Sequence, residues 1–301
     1  MPPIRRGVAR SCFRLALFAA ATYLAVCALM AWQKETIIFP LHGRERAAGK
    51  VAPPGYETWW QTMRDGVRVE AWWRPARGAS PDRPAPAVLV FHGNGELIDD
   101  SRDFAEVWHD LGASVLLVEY RGYGRSEGSP GIAACAADAA EWFDRVAATP
   151  GVQAQAIIAH GFSLGGVFAA ELAGLRPVAG LVMEGSVASL RAAARDRGIW
   201  LLLTRERFDA EAVLRRLPPE VPVLLTHGRR DRVVPHRHLG LLAAARPGAT
   251  VVEDDHDHYP LSTQERPDLL RDLLATMETR AAPASAAPDN ALASPPPRSA
   301  P

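Results

Sequence analysis

Cysteine is scarce in this sequence, and charge of neither sign is in excess. The 301 residues include three cysteines. Cys12 and Cys27 lie in or beside an N-terminal apolar run, so Cys135 alone remains for the folded part, which excludes an intrachain disulfide there. Lysine plus arginine and aspartate plus glutamate both number 34. Nucleic-acid-binding proteins usually carry a basic excess, so we expect no nucleic-acid partner.

Motifs for metals and phosphates are missing as well. The sequence has neither the paired cysteine spacing of zinc sites nor a G-x-x-x-x-G-K-[ST] phosphate loop. It also contains no internal repeat. The composition, 48% hydrophobic and 23% charged, is ordinary for a globular protein. We therefore predict a folded protein that needs no metal and no organic cofactor.

One long apolar run is present, at residues 15–32, and its eighteen residues include no charged side chain. That length is just enough to cross a bilayer. The residues after Cys27 make a poor signal-peptidase site, and Val26 fits a lipoprotein site badly. We therefore predict a retained single-pass membrane anchor within residues 1–35. The arginines before the run favour an N-terminus inside and a domain on the extracytoplasmic side: Arg5, Arg6, Arg10 and Arg14.

The rest of the chain predicts one domain at residues 36–280. Asp65-Gly66 between two aromatic and β-branched runs indicates an antiparallel hairpin. Six apolar runs then alternate with helical patterns, which is typical of a mainly parallel sheet flanked by helices on both faces. The interval at 185–219 leaves room for a short helical cap, and the Ala/Pro-rich residues 281–301 are predicted to be disordered. The six runs lie at residues 87–91, 114–118, 154–159, 179–183, 221–226 and 250–252.

Residues 161–166, Gly-Phe-Ser-Leu-Gly-Gly, stand between the third apolar run and a helical pattern. A strand, a tight turn and a helix form the context of a G-x-S-x-G nucleophile elbow. The glycines are needed because a Cβ at Gly161 or Gly165 would collide with the neighbouring backbone. The alternative is a glycine-rich turn in which Ser163 only caps the helix. We interpret Ser163 as a nucleophile.

A nucleophilic serine needs a base and an acid that orients the base. Behind an elbow of this kind, the chain order is serine, acid, histidine. Asp231 follows the fifth run and is the predicted acid; its alternative role is a helix N-cap. Two histidines follow the sixth run, and in an extended turn they point in opposite directions, so one of them reaches Ser163. We favour His256, four residues past the strand, with His258 as the alternative.

The same histidines stand among four carboxylates, which admits a second interpretation. Histidine and aspartate together are ligands that metal ions use. Here the ligands crowd into one turn, and no strong partner elsewhere in the sequence completes the set. We therefore disfavour a metal site in this cluster, whose acidic members are Glu253, Asp254, Asp255 and Asp257.

Acyl transfer at a serine also requires an oxyanion hole for the tetrahedral intermediate. One predicted donor is the backbone N–H of Leu164, directly after the nucleophile. The second comes from the loop after the third strand of the sheet, residues 92–96, whose glycines let the backbone approach a substrate closely. We assign this donor to Asn94, with Gly95 as the next choice. His92 is interpreted as a structural brace of the loop.

Together these motifs resemble the α/β-hydrolase fold. More narrowly, they look like the membrane-anchored serine hydrolases of the Bem46 and ABHD13/ABHD17-like group. At the position of the base the group usually shows Gly-His-Asn-Asp, where this sequence has Asp-His-Asp-His at residues 255–258. Alignment on that pattern again selects His256. The matching segments are residues 37–40, 91–95, 120–126, 161–166, 183–186, 207–209 and 227–231.

The resemblance implies hydrolysis of acyl esters and thioesters, including removal of acyl groups from proteins by some members. We therefore predict a serine hydrolase that uses Ser163, His256 and Asp231 and passes through an acyl-enzyme. The short cap and the predicted anchor favour a lipid-like substrate or an acylated protein. A serine peptidase of the same fold is the alternative, weakened by the lack of an N-terminal β-propeller. From another class, the alternative is a non-catalytic binding protein that keeps the fold.

Overall fold

The structure, a computed structural model, describes residues 3–32, 37–44, 51–198 and 208–281. Its strands are β1 (Glu57–Thr62), β2 (Arg68–Arg74), β3 (Ala85–Phe91), β4 (Ser114–Val118), β5 (Val152–Phe162), β6 (Gly180–Glu184), β7 (Val223–Gly228) and β8 (Thr250–Asp254). Its helices are α1 (Pro3–Trp32), α2 (Arg102–Asp110), α3 (Ile132–Ala147), α4 (Leu164–Leu175), α5 (Leu190–Asp196), α6 (Ala210–Arg216), α7 (Arg237–Ala245), α8 (Ser262–Glu265) and α9 (Asp268–Ala281), and a short 3₁₀ helix spans Ile98–Ser101.

The eight strands form one sheet in the order β1-β2-β4-β3-β5-β6-β7-β8. β1 and β2 make the predicted antiparallel hairpin, and β2 pairs antiparallel with β4, with Ala71 opposite Val118. The other neighbouring pairs are all parallel. The prediction of an α/β-hydrolase fold, with a mainly parallel sheet and an antiparallel N-terminal hairpin, is confirmed.

Helices cover both faces of this sheet, which is why its central strands read as continuous apolar runs. Along β3 the buried side chains alternate between two apolar clusters, as the two-residue period of a strand requires. Leu89 packs in the cluster that contains Trp142 of α3. Val88 packs in the cluster that contains Trp108 of α2 and Leu270 of α9. The core therefore lies in two layers, one on each face of the sheet.

The parallel arrangement brings the carboxyl ends of six strands to one edge. There β3 ends at Phe91, β4 at Val118, β5 at Phe162, β6 at Glu184, β7 at Gly228 and β8 at Asp254. The loops that follow these strands lie side by side, because neighbouring parallel strands end at the same edge. The segments predicted to hold the oxyanion donors, nucleophile, acid and base all start at this edge.

The N-terminal helix α1 is long and apolar enough to cross a membrane. Its window Arg10–Leu29 has a mean hydropathy of 1.9, with 6% of the window buried against the rest of the structure. A signal sequence near an N-terminus meets the same criteria of length and composition. The side of a membrane on which the domain would lie stays a prediction.

The predicted cap and tail are described only in part. Within 185–219, the structure has the two short helices α5 and α6, and an isolated bridge pairs Ser189 with Asp209. Residues 199–207 lie outside the described residues, as do residues 282–301 of the predicted tail. The domain boundaries at 35 and 280 therefore remain predictions.

Candidate active site

Ser163 lies at the turn between β5 and α4. Its φ of +55° is the only positive φ of a non-glycine residue among the residues that the structure describes. A side chain in such a conformation costs about 1–3 kcal/mol, which the surrounding structure must offset. The Ser163 N–H donates to the carbonyl of Glu184 at 2.8 Å, so the strained turn is tied to the end of β6.

The glycines on both sides of Ser163 leave no room for a side chain. A Cβ at Gly161 would overlap the carbonyl of Gly165, and a Cβ at Gly165 would overlap the carbonyl of Phe91. The first turn of α4 therefore lies directly against the start of the loop after β3. The collision predicted from the sequence is present at both positions.

Asp231 lies in the loop after β7 with its carboxylate held on every side. Oδ1 accepts hydrogen bonds from the N–H groups of Val233 and Val234, each at 2.8 Å. Oδ2 is 2.7 Å from His258 Nδ1 and 3.2 Å from His227 Nε2. Burial by itself raises the pKa of Asp231, but the hydrogen bonds from His227 and His258 outweigh it and lower this pKa well below its usual value. Asp231 is therefore an anion at neutral pH.

His258 is the histidine that the structure places against Asp231. Its side chain is nearly buried, at 9% exposure, and its ring packs on Phe162 with 4.6 Å between the ring centroids. Phe162 directly precedes Ser163 in the chain. Because Nδ1 is engaged with Asp231, Nε2 is the nitrogen that remains for proton transfer.

His256, the residue favoured from the sequence, has other partners. Its Nδ1 lies 2.7 Å from the carbonyl of Asp257, and its Nε2 lies 3.3 Å from Ser262 Oγ. A Cβ on Gly228 would come within 2.6 Å of His256 Nδ1, so His256 sits at the end of β7, short of the Asp231 carboxylate. The chain reaches that carboxylate two residues later. The structure thus places His258, the stated alternative, and not His256, against the Asp231 carboxylate.

The predicted oxyanion donors lie on two neighbouring segments. Leu164 is the first residue of α4, and the N–H groups of a first helical turn have no acceptor within the helix. Asn94 is held from its side chain, which donates to the Ile38 carbonyl at 3.2 Å, and from its own carbonyl, which accepts the Tyr123 hydroxyl at 3.0 Å. Gly95, the other candidate, is exposed and has open space at its Cβ position.

His92 supports the loop at residues 92–96 through side-chain hydrogen bonds, in the role expected for it. Its Nδ1 lies 2.8 Å from the Gly93 carbonyl, and its Nε2 lies 3.0 Å from Glu119 Oε1. Burial lowers the pKa of His92, but the hydrogen bond and charge of Glu119 raise it further, so the net shift is upward. The Tyr120 hydroxyl donates to the His92 carbonyl at 2.6 Å and completes the support.

A contact across the mouth of the site joins the loop at residues 255–261, called the base loop here, to the oxyanion loop at residues 92–96. The hydroxyl of Tyr259 donates to the carboxylate of Glu96, and the same carboxylate accepts the Gly93 N–H at 2.6 Å. The Tyr259 ring also packs on Phe162, with centroids 4.8 Å apart. The segments that carry the predicted base, nucleophile and oxyanion donors therefore touch one another.

A buried polar network under the elbow is a feature that sequence reasoning missed. Trp108 Nε1–H donates to His160 Nδ1 at 2.7 Å, so the proton of the neutral ring is on Nε2, which donates to Glu184 Oε1 at 2.9 Å. Glu184 Oε2 accepts the Thr226 hydroxyl at 3.0 Å and the Thr263 N–H at 3.1 Å. In the sequence, Glu184 directly follows the fourth apolar run, but no local pattern marks its partners, which come from distant segments.

The described residues offer no cluster of three or more histidine, cysteine, aspartate or glutamate side chains that could hold a metal ion. Three of the four acidic residues near His256 pair with arginines of the loop after β7. The nitrogen–oxygen distances are 3.1 Å for Arg229–Glu253, 2.9 Å for Arg230–Asp255 and 3.7 Å for Arg232–Asp257.

Comparison with known sequences gives a family. A family model described as "Serine aminopeptidase, S33" matches residues 82–210. The protein Rv2307c of Mycobacterium tuberculosis is 35% identical over 207 residues, which cover 67% of this chain and 71% of that protein. The α/β-hydrolase domain-containing protein WAV2 of Arabidopsis thaliana is 26% identical over 261 residues, covering 78% of this chain and 84% of WAV2.

Comparison with solved structures gives the same fold. The esterase Pf2001 of Pyrococcus furiosus superposes with a TM-score of 0.62 at 17% identity, covering 78% of this chain and 97% of that one. Acetyl xylan esterase 1 from a Thermoanaerobacterium species superposes with a TM-score of 0.60 at 18% identity, covering 82% and 92%. With the fold, the elbow and the sequence relatives in agreement, the chain belongs to the α/β-hydrolase family that the S33 model describes.

Proposed function

We propose that the protein is a serine hydrolase that cleaves carboxylic ester or thioester bonds through an acyl-enzyme on Ser163. The observation that carries this proposal is the 2.7 Å contact between His258 Nδ1 and Asp231 Oδ2, at the same edge of the sheet as the strained elbow. A serine in such a turn, with a histidine oriented by a buried carboxylate, has the parts of a Ser-His-Asp triad. Membership of a hydrolase family supports the same class of reaction.

In the first half of the proposed reaction, Ser163 Oγ attacks the carbonyl carbon of the substrate and His258 Nε2 takes the hydroxyl proton. The anionic Asp231 stabilises the imidazolium that forms and keeps the Nδ1 proton facing it. The negative oxygen of the tetrahedral intermediate is bound by the backbone N–H groups of Leu164 and Asn94. When the intermediate collapses, His258 gives its proton to the leaving alcohol or thiol.

In the second half, water takes the place of the serine as the nucleophile. His258 takes a proton from water as the oxygen attacks the acyl-enzyme, and the same two N–H groups hold the new oxyanion. Collapse releases the carboxylic acid and returns the proton to Ser163 Oγ. The cycle consumes one water for each ester or thioester bond, and the residues named supply every proton transfer.

For the substrate, we propose a lipid-like ester or an acylated protein. Support comes from the resemblance to the Bem46 and ABHD13/ABHD17-like group and from α1, whose apolar window meets the length of a membrane span. The named structural neighbours are esterases, which is consistent with an acyl substrate. In this proposal α1 is a single-pass anchor and the domain lies on the extracytoplasmic side.

A serine peptidase is the second candidate, favoured by one observation. The matching family model carries the description of a serine aminopeptidase. The two candidates share the catalytic residues and differ in the leaving group, which is an amine in the peptidase reaction. Turnover of aminoacyl p-nitroanilides at a higher kcat/KM than p-nitrophenyl esters would favour the peptidase.

The nucleophile is tested by covalent labelling of the full chain in detergent. A fluorophosphonate probe is expected to form one adduct, on Ser163, and Ser163→Ala is expected to lose both labelling and turnover of p-nitrophenyl esters. Turnover that survives in Ser163→Ala would overturn the proposed function.

The base is tested by two matched histidine variants. His258→Ala is expected to lower kcat by about six orders of magnitude, the scale of losing a triad histidine, because Ser163 then lacks a proton acceptor. His256→Ala, two residues away and without contact to Asp231, is the control and should keep most activity. If His256→Ala lowers kcat more than His258→Ala does, His256 is the catalytic base.

A further inference from the structure

The segment of residues 37–44, called the linker here, connects α1 to the sheet domain and packs into it. Phe39 is 1% exposed, whereas its neighbour Ile37 is 44% exposed. The Phe39 ring meets Tyr123 edge-on, with centroids 6.3 Å apart, and stacks on Phe168 at 6.4 Å. Phe168 belongs to α4, the helix that begins directly after Ser163. A flexible tether would need no such contacts.

The linker also touches the residue proposed as the second oxyanion donor. The Asn94 side-chain amide donates to the Ile38 carbonyl at 3.2 Å. The Asn94 carbonyl accepts the hydroxyl of Tyr123, whose ring rests against Phe39. Asn94 is therefore held at two points, one directly by the linker and one through a side chain that the linker packs.

The far end of the linker is fixed to the loop after β4. The Gly43 N–H donates to the Gly122 carbonyl at 2.9 Å. A Cβ on Gly122 would come within 2.8 Å of His42 Cδ2, so the two segments pack without a gap. Because Gly122 directly precedes Tyr123, this contact also constrains the side chain that holds the Asn94 carbonyl.

An oxyanion donor contributes only when its N–H points at the developing charge, and loss of one donor lowers kcat by about 10²–10³. Gly95, the next residue of the loop, is exposed, so the contacts of Asn94 itself determine where its N–H points. Contacts that fix the position of Asn94 therefore act on the transition state more than on the bound substrate.

We propose that Phe39 is a positioning residue of the oxyanion hole: packed on Tyr123 and Phe168, it keeps the linker and Tyr123 in place so that they hold Asn94. Within the linker, the Phe39 side chain and the Ile38 carbonyl then support the oxyanion hole, whereas the exposed Ile37 side chain takes no part in it. This inference rests on the proposed function and extends it to a segment outside the sheet domain's catalytic loops.

The test uses the full chain in detergent with a p-nitrophenyl ester. Phe39→Ala is expected to lower kcat by about 10- to 100-fold, less than or equal to the smallest effect of losing an oxyanion donor outright, with little change in KM. Phe39→Leu should recover most of kcat because it refills the space. Ile37→Ala, on the exposed neighbour, is the matched control and should leave kcat and KM unchanged.

A second readout separates positioning from a general loss of structure. A trifluoromethyl ketone adds to the serine and places an alkoxide in the oxyanion hole, so its affinity reports that hole. Its affinity for Phe39→Ala should fall by the same factor as kcat/KM. A drop in kcat with unchanged ketone affinity would overturn the inference, as would an unchanged kcat.

Asn94→Ala provides a variant that deletes only the side-chain contact to the linker and keeps the backbone N–H. Asn94→Ala should also lower kcat. The double variant with Phe39→Ala should have a kcat no lower than that of the less active single variant, because both substitutions break one chain of contacts. Full activity of Asn94→Ala, or additive losses, would contradict the inference. Activity that persists in Ser163→Ala would instead contradict the proposed function.

Discussion

At the scale of the residue, Ser163 combines a reactive side chain with a strained backbone. Its φ of +55° and ψ of −117° lie where a Cβ is disfavoured, and the overlaps at Gly161 and Gly165 keep the turn from relaxing. The fold therefore maintains this conformation against a cost of about 1–3 kcal/mol. Such a cost is expected to appear as a stability difference between variants that lack the hydroxyl.

Ser163→Gly is expected to unfold at a higher temperature than Ser163→Ala, by roughly 2–4 °C, or about 1 kcal/mol for a domain of this size. Both variants lose the hydroxyl, but only alanine keeps the strained Cβ. The relief of strain exceeds the extra chain entropy of glycine, which costs about 0.5–1 kcal/mol. Differential scanning calorimetry of the two inactive variants measures the difference.

Ser114 gives the matched control, because it is a buried serine in the extended backbone of β4. There the order should reverse, with Ser114→Gly unfolding at a lower temperature than Ser114→Ala. If Ser163→Gly also unfolds at a lower temperature than Ser163→Ala, by the same margin as at Ser114, the elbow stores no strain.

At the scale of the element, the buried Glu184 network joins strands whose ends carry the site. His160 belongs to β5, Glu184 to β6, Thr226 to β7 and Thr263 to α8, which follows the base loop. One carboxylate thus ties the elbow strand to the segment behind His258. Its charge is held by hydrogen bonds from neutral groups, which is how an isolated buried anion is stabilised.

Glu184→Gln is expected to destabilise the protein by about 3 kcal/mol, the scale of breaking a buried charged network, and to lower its unfolding temperature by roughly 6–12 °C. The amide of glutamine would turn one acceptor into a donor that faces other donors. Thermal unfolding at pH 7 measures the effect. Glu253→Gln, which removes an exposed ion pair with Arg229, is the control and should change stability by less than about 0.5 kcal/mol.

The same network predicts a pH dependence. Burial raises the pKa of Glu184, but hydrogen bonds from His160 and Thr263 lower it below its ordinary value. Stability from the ionised carboxylate is therefore fully present above the unfolded pKa, about 4.3, and is lost as the pH falls through the lower folded pKa. The stability gap between wild type and Glu184→Gln should narrow on acidification below about pH 4. A gap that widens there would contradict an anionic Glu184.

The elements also show what the sequence can predict. The hairpin at Asp65-Gly66 and the parallel strands follow from turn chemistry and apolar runs, and the structure has both. The exact end of β8 does not follow from composition, because Glu253 and Asp254 extend the strand beyond its apolar core. His256 is four residues past that core, but His258 is four residues past the observed end at Asp254. The sequence favours His256 because it places the end of β8 two residues too early.

Other parts of the site depend on contacts between distant segments. The pairing of His258 with Asp231, the Glu184 network and the support of Asn94 by Ile38 each join residues from different segments. Local patterns identify Ser163 and Asp231 because a tight turn and a strand end have sequence signals. No local signal marks the partners, since the fold alone brings them together.

At the scale of the whole molecule, a short connection joins α1 to the proposed oxyanion hole. α1 ends at Trp32, and Ile38, whose carbonyl contacts Asn94, is six residues later. A chain of that length spans at most about 20 Å. In the proposed membrane-anchored state, the site therefore works within a short distance of the bilayer surface.

If α1 is a membrane anchor as proposed, the short connection predicts a rate that depends on the amount of substrate per unit area of the interface instead of its bulk concentration. In mixed micelles, dilution of a long-chain p-nitrophenyl ester with inert detergent at constant bulk concentration should lower the rate in proportion to its mole fraction. Water-soluble p-nitrophenyl acetate is the control, and its rate should not change. If dilution with detergent changes the rates for the two esters equally, catalysis at the interface is contradicted. If it lowers only the rate for the long-chain ester, the enzyme encounters that substrate by diffusion in two dimensions.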